Sequence, residues 1–403
     1  MRNVENYGFT LYGAKNSTII NNSFYKVADS ILAGGENITI AGNYMDDCGW
    51  DYSFEYVGGC ITVASSNSPG DITVFNNTMI NAKDVGIIIG SSNIEWSNIN
   101  IYNNHVEDSL YGLLMTTYAS LTERPSNVTI HNNTFKNHER GISVFRSYEA
   151  KGGHNTIIRD NEITNSTSGI IYLGTPLTYN NLIIQKNYIE TNETGVYIDD
   201  VDGVVAINNE INSEICLTLA DTKDFSIRIN DLSAKETGIE ISKSEGNITK
   251  NEIYGSCSDD NCYTVYFTKV GESGLKISSN SEIYAKNNNI SSFNFLINST
   301  DSIINILSNN LDFSNTGLYI ESGDNSDLIN NEIRNSSKLI HITKSNDIEI
   351  SGNNFSNFGI ALYSVNSSAS ILTNFYSQGE VCLDFIDSTY NLDNYDHFEC
   401  TEA

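Results

Sequence analysis

Apolar and polar residues alternate along this chain in two recurring short patterns. One has the form of Ile38-Thr39-Ile40, Val128-Thr129-Ile130 and Ile348-Glu349-Ile350. The other opens on glycine, as in Gly86-Ile87-Ile88-Ile89, Gly141-Ile142-Ser143-Val144, Gly195-Val196-Tyr197-Ile198 and Gly317-Leu318-Tyr319-Ile320. Alternation with period two puts one set of side chains on one face, which predicts strand. No stretch keeps helical periodicity long enough to nucleate a helix. Between the two patterns stands an Asn followed one residue later by an apolar residue. The anchors are Asn22, Asn43, Asn77, Asn104, Asn133, Asn161, Asn187, Asn209, Asn230, Asn251, Asn288, Asn310, Asn331, Asn354 and Asn374, spaced 20 to 37 residues apart. Each unit therefore holds two or three strands of roughly three to five residues joined by tight turns. Such a unit has one apolar face and cannot bury it alone, but stacked units hide their faces in a shared column. The expectation is an all-β solenoid of about 15 coils with no capping helix. Coils ~4.8 Å apart would make a rod of about 70 Å.

The anchor asparagines have a physical reading. A corner between strands needs a left-handed residue, which Asn tolerates, and stacked amides can bond their neighbours above and below. Asn77, Asn104, Asn133, Asn161, Asn187, Asn209, Asn230 and Asn251 are accordingly read as a structural ladder without chemistry. The Gly before the second strand fits a place where a side chain would crowd the next coil.

This grammar, I-x-I-x-x-N-x-I followed by G-I-x-I, resembles the right-handed parallel β-helix repeat of pectate-lyase-like enzymes, tailspikes, and many bacterial and archaeal surface proteins. The resemblance covers about residues 8–390, within one domain spanning 1–403, and leaves a tail at 386–403. It implies the fold firmly and the function weakly, since that fold carries lyases, hydrolases, epimerases, adhesins and structural proteins.

Composition narrows the function. With 50 acidic and 22 basic side chains the formal charge is −28, so the chain cannot neutralise a row of phosphates and no nucleic-acid partner is expected. Docking on anionic lipid is disfavoured for the same reason. No apolar run reaches the roughly 20 residues that span a bilayer. Asn (56) and Ser plus Thr (77) replace the usual charged residues; such compositions often mean disorder, but here the apolar residues keep a repeating order.

Seven cysteines fall into three local pairs, Cys48 with Cys60, Cys257 with Cys262, and Cys382 with Cys400, leaving Cys216. Local pairs around excursions favour disulfides in an oxidising, extracellular setting over a metal site. Cys60, Cys216 and Cys382 occupy the Gly position of their strands, which weakens the pairing for two of them and makes Cys216 a buried, inert thiol. Asn-x-Ser/Thr acceptors number 14: Asn16, Asn21, Asn37, Asn76, Asn127, Asn132, Asn165, Asn192, Asn247, Asn289, Asn298, Asn335, Asn354 and Asn366. That count permits a glycoprotein and is close to what the composition yields by chance.

Departures from the ~21-residue unit are where function belongs, because insertions loop out of a solenoid. The coils between 43 and 187 run long, and a second excursion covers 256–279. The long-loop region gathers Trp50, Tyr52, Tyr56, Tyr118, Arg124, Arg146, Tyr148 and His154 on what should be one side. Aromatic faces with interspersed charges suit a sugar-binding cleft. The plainer reading is that these loops cover an apolar outer strip made of Ile88, Leu114, Phe145, Ile171, Leu173 and Tyr197. If the patch is catalytic, Asp51, Glu55, Arg124, Arg146 and His154 supply the acid, base and uronate-neutralising groups, though no spacing identifies a set. Asp199, Asp200 and Asp202 are calcium candidates on an acidic turn that is otherwise simply solvated; no other cofactor is expected.

The ends show no cap, so the chain reads either as cut from a longer surface protein or as pairing end to end with further copies. The leading expectation is an extracellular or cell-surface solenoid with a structural or adhesive role, its partners polysaccharide or itself. The rival is a polysaccharide lyase or glycoside hydrolase acting on an acidic glycan. A third reading is a periplasmic accessory protein of the nitrous-oxide-reductase maturation type, which shares this grammar; only 6 His and few Met speak against copper there.

Overall fold

The computed structural model describes residues 1–49, 58–65, 70–91, 96–117, 125–145, 155–174, 179–255, 271–393 and 396–402. It is all-β, a parallel solenoid of about 15 turns; 79% of the chain is strand and no helix occurs among the described residues, so sheets alone make the core. Two compact units divide the chain, Met1–Glu210 and Ile211–Ala403.

A turn in the first unit shows the construction. From buried Asn161 the chain runs through the 12-residue strand Glu162–Leu173, and after a break continues as Tyr179–Gln185 to the next corner at Asn187. The sequence pattern suggested two or three short strands; the structure joins the first two into one long strand that bends across two faces. The bend falls four residues after the corner at a left-handed residue, Asp108, Asn137 or Asn165 in successive turns. Each turn thus has three faces: one after the corner, one after the bend, and a third on the short strand.

Register is held turn upon turn. Phe135 lies opposite Val106 and Ile163, Ile142 opposite Leu113 and Ile170, and Ile130 opposite Ile101 and Ile158. All nine are fully buried, at roughly 1.5–3 kcal/mol per aliphatic or aromatic side chain removed from water. The second unit repeats this: Leu311 between Ile290 and Ile333, Leu318 between Ile297 and Ile340. Crowding explains the Gly that opens the second face. A Cβ on Gly112 would fall 2.6 Å from the carbonyl oxygen of Gly141 in the next turn and 2.5 Å from the Phe135 ring.

The corner differs from the sequence reading in one respect. The left-handed residue is not the anchor Asn but the one before it: Asn21, Gly42, Asn76, Asn103, Asn132, Asp160, Lys186 and Asn208 in the first unit, and Ile229, Lys250, Asn287, Ser308, Asn330, Gly352 and Thr373 in the second. The anchor turns inward and is buried. In two turns the buried residue is therefore Asn309 and Asn353, not Asn310 and Asn354.

Each buried Asn is fully used. In the first unit the Oδ1 of Asn161 accepts from both the backbone N–H and the Nδ2 of Asn133, at 3.0 Å each. Its own Nδ2 donates to Asn187 Oδ1 (3.0 Å) and to the Ile130 carbonyl (2.9 Å). The same pattern links Asn22, Asn43, Asn77, Asn104 and Asn133. In the second unit it links Asn230, Asn251, Asn288, Asn309, Asn331, Asn353 and Asn374, and ends on Asp396, whose Oδ1 accepts from Asn374. Burying an amide costs free energy unless its donors and acceptors are paired, and here each turn supplies the partner for the last.

A second column, absent from the sequence reading, runs through hydroxyls of the second unit. Backbone N–H groups of Thr222, Ser244, Ser345 and Ser367 donate to the Oγ of Ser244, Ser281, Ser367 and Ser388. Most of these corners also follow a left-handed residue, such as Asp221, Lys243, Lys344 and Asp387. Strands also reach further than expected. Gly271–Ser278, placed by spacing in the second excursion, is a regular strand pairing with Asp231–Ser242 and Asn289–Thr300. The supposed tail carries strands Thr389–Leu392 and His397–Glu402.

Candidate functional site

Trp50, Asp51, Tyr52, Glu55, Tyr56, Tyr118, Arg124, Arg146, Tyr148 and His154 all lie outside the described residues, as do Cys257 and Cys262. The strands that carry these insertions are described, and they separate the two groups. Residues 50–57 fall between Tyr44–Cys48 and Gly59–Ser65, ahead of the second face. Residues 118–124 and 146–154 fall after it, following His105–Thr117 and Thr134–Val144. The described strands that flank these segments therefore border one face of the first unit on its two opposite edges.

That face has an apolar floor. Ile88 and Leu114, outward-pointing by sequence, are 1% and 4% exposed and cluster with Val85; Tyr111 and Phe145 pack against them. The two rings meet edge to face at 5.9 Å, a favoured geometry for aromatic pairs. The Arg140 guanidinium lies 5.7 Å from the Tyr111 ring and 5.2 Å from the Phe145 ring, a cation–π arrangement. Ile171, Leu173 and Tyr197 are half-buried. The hydroxyls of Thr62 and Ser143, in line with Ile88 and Leu114, are buried without a hydrogen-bond partner among the described residues. The Cys48–Cys60 disulfide, Cα atoms 5.1 Å apart, closes the base of the 50–57 insertion. A second disulfide joins Cys382 and Cys400.

Near this face lies His138, which the sequence reading passed over. It is buried, its Nε2 within 3.2 Å of the Val106 carbonyl and its Nδ1 accepting from the Ser109 N–H at 3.3 Å. Nδ1 also lies 2.9 Å from the Ser109 hydroxyl oxygen, and burial pushes the ring's pKa down to about 4, which keeps it neutral at pH 7. Its contacts are structural. Cys216 is likewise buried, its thiol pushed up to about 12 by burial, so the reactive thiolate is not formed near neutral pH.

Asp199, Asp200 and Asp202 stand where the strands Tyr188–Asp199 and Asp202–Ile207 meet, with Asp200 left-handed. Among the described residues no three His, Cys, Asp or Glu side chains converge to hold an ion, these three included. The 14 sequon asparagines are all exposed or half-exposed. Many of them, Asn21, Asn76, Asn132 and Asn165 included, are left-handed residues of corners and bends, where the side chain is left to solvent.

Two outward aromatic rows appear that sequence reasoning did not single out. On the third face of the first unit Phe75, Tyr102 and His131 stack at 5.0 Å, with ring planes 3° and 6° apart. On the second face of the second unit run Phe295, Tyr319, His341 and Tyr363, with centroids 5.9, 5.0 and 4.8 Å apart and planes inclined at 63°, 84° and 67°. Lys338 Nζ sits 4.3 Å from the Tyr363 ring centroid. Tyr319 donates its hydroxyl proton to Glu321, which pairs with Lys344 at 2.7 Å. The signal was present in Gly317-Leu318-Tyr319, Leu339-Ile340-His341 and Ala361-Leu362-Tyr363, where the outward position is aromatic each time.

The architecture defines the class: a right-handed parallel β-helix. A family model described as a right handed beta helix region matches residues 126–290, and one described as a periplasmic copper-binding protein (NosD) matches residues 1–175. Among solved structures the chain is similar to the A-module of a mannuronan C-5 epimerase from Azotobacter vinelandii, at 11% identity over 92% of this chain and 91% of that one, TM-score 0.39. It is also similar to a DFA-IIIase from Arthrobacter chlorophenolicus A6, at 11% identity over 93% and 83%, TM-score 0.31. No curated protein matches the chain.

The copper-binding description can be tested against the donors present. Copper favours converging imidazole, thiolate or thioether ligands. His105 lies against Glu107, His131 is in the aromatic stack, His138 is internal, His341 is in the second row, and His397 stacks on Phe375. Met45, Met79 and Met115 are buried in the core. The described residues do not form a copper donor set.

Proposed function

We propose that this protein is an extracytoplasmic β-helix with a structural or adhesive role, holding polysaccharide against its lateral faces. The carrying observation is the outward aromatic row Phe295–Tyr319–His341–Tyr363, its last three members in register, on a core locked by amide ladders. Ring faces and polar flanks on a rigid surface offer a sugar chain the contacts it prefers, with little ordering to be supplied on binding. The two disulfides support a location in an oxidising compartment, and the match of residues 1–175 to a periplasmic family model points the same way.

Co-sedimentation of the full chain with insoluble polysaccharides tests the reading. Retention that rises with the amount of polysaccharide is expected. Release of new reducing ends or of unsaturated uronates during incubation would overturn the adhesive reading in favour of an enzyme. Failure to sediment with any polysaccharide would remove glycan as the partner.

A further inference from the structure

The two aromatic rows have similar composition and opposite ring geometry, and this decides which of them can bind. Where rings lie parallel, as in Phe75–Tyr102–His131, each face is covered by the next ring. Where they are inclined by 63° to 84°, neighbours meet edge to face and no ring is covered by a parallel one. Three members lie in register: Tyr319, His341 and Tyr363 are direct partners in successive strands, so over these turns an aromatic side chain recurs at each ~4.8 Å step. That step is close to the length of one extended pyranose residue, and a chain crossing the strands would meet one ring per sugar.

Charge selects the kind of sugar. The chain carries −28 overall, and Glu240 and Glu321 line the row. Of its flanking lysines, Lys276 is paired with Glu240 at 3.1 Å and Lys344 with Glu321 at 2.7 Å. Lys338 is engaged over Tyr363. His341 leans toward its neutral form, since burial lowers its pKa and Lys338 lowers it further. A polyuronate would thus meet a negative field with the nearby cations already committed. A neutral chain pays no such cost, and its equatorial hydroxyls reach the Tyr319–Glu321–Lys344 chain of polar groups beside the rings.

We infer that the second face of the second unit, along Tyr319, His341 and Tyr363, is a binding surface for an uncharged, β-linked pyranose chain running across the strands. This deepens the polysaccharide reading above and rests on it for the kind of ligand.

The test is calorimetric titration of the full chain with cellohexaose, chitohexaose and a hexamer of galacturonate, for the wild type and for Tyr363→Ala, His341→Ala and Tyr363→Phe. Folding of each variant is checked by circular dichroism. A neutral hexamer should bind, weaken roughly tenfold for Tyr363→Ala and His341→Ala, and stay within about twofold for Tyr363→Phe, since aromatic surface is what each position supplies. Binding of galacturonate in preference to both neutral hexamers overturns the ligand class and leaves the polysaccharide reading standing. Neutral binding unchanged in the alanine variants overturns the surface and again leaves that reading standing. No binding of any hexamer, together with no sedimentation on insoluble polysaccharide, overturns both.

Discussion

Replacing Asn161 with Ala tests whether the amide ladder holds the first unit together. The side chain makes four hydrogen bonds: two accepted from Asn133, one given to Ile130 and one given to Asn187. Asn187 Oδ1 would keep the backbone N–H of residue 161 and Asn133 Nδ2 would keep the Ile101 and His131 carbonyls, so the alanine takes a partner from two groups: the Asn133 backbone N–H and the Ile130 carbonyl. At about 1–3 kcal/mol for each buried group left without a partner, and with some relief from entering water, the loss comes to about 3 kcal/mol. A stack of repeats need not unfold all at once, so a global midpoint is the wrong measure. Native-state hydrogen exchange of the strands Thr134–Val144 and Glu162–Leu173 reads the effect locally, and protection there should fall about a hundredfold. Asn181→Ala serves as the control, since that exposed side chain donates one surface bond to Asn155 and should change protection by less than about 0.5 kcal/mol. If Asn161→Ala stays within about 1 kcal/mol of wild type, the ladder is decoration on a core that apolar packing holds alone.

Four further outcomes follow from the same structure. His138 has a native pKa of about 4, below its ordinary 6.5, so its contribution to stability is full above pH 6.5 and is lost as pH falls toward 4. The span amounts to about 3 kcal/mol, and His138→Gln should flatten that part of a pH–stability curve measured by urea unfolding. Asp396 ends the ladder with Oδ2 buried and unpartnered among the described residues, and burial raises its pKa; the fold therefore holds its proton more tightly than the unfolded chain does, and stability falls as pH rises from the ordinary carboxylate range to that raised value. Asp396→Asn should therefore stabilise the protein at pH 7 by about 1 kcal/mol, with the gain shrinking in acid, as melting curves at the two pH values would show. Ile229 is a β-branched residue at φ 55° and 50% exposed, so Ile229→Asn should stabilise by about 1 kcal/mol in chemical denaturation; a loss would mean that its side chain packs against something it needs. Cys216 should resist iodoacetamide in the native protein and react after denaturation, with peptide mass spectrometry as the readout; native labelling would contradict its burial.

Much of this molecule was determined by its sequence alone. Period-two alternation, Asn at a repeating interval and Gly at the start of the second face are local requirements, each with a cause inside one turn, and so they were legible. The same holds for Cys48–Cys60 and Cys382–Cys400, whose partners are near in the chain. What the sequence left open depends on contacts between turns. In Asn309-Asn310 and Asn353-Asn354 either residue could be the anchor by type, and only the amide of the adjacent turn decides that the first goes inward. The preceding residue then becomes left-handed, even when it is Ser308, Thr373 or Ile229. The serine column and the row Tyr319, His341 and Tyr363 escaped notice for the same reason: their members are about one turn apart in sequence, and only stacking makes them neighbours. The inclination of those rings, which separates an open surface from a closed stack, arises from side-chain packing across turns, and alternation within a strand carries no information about it.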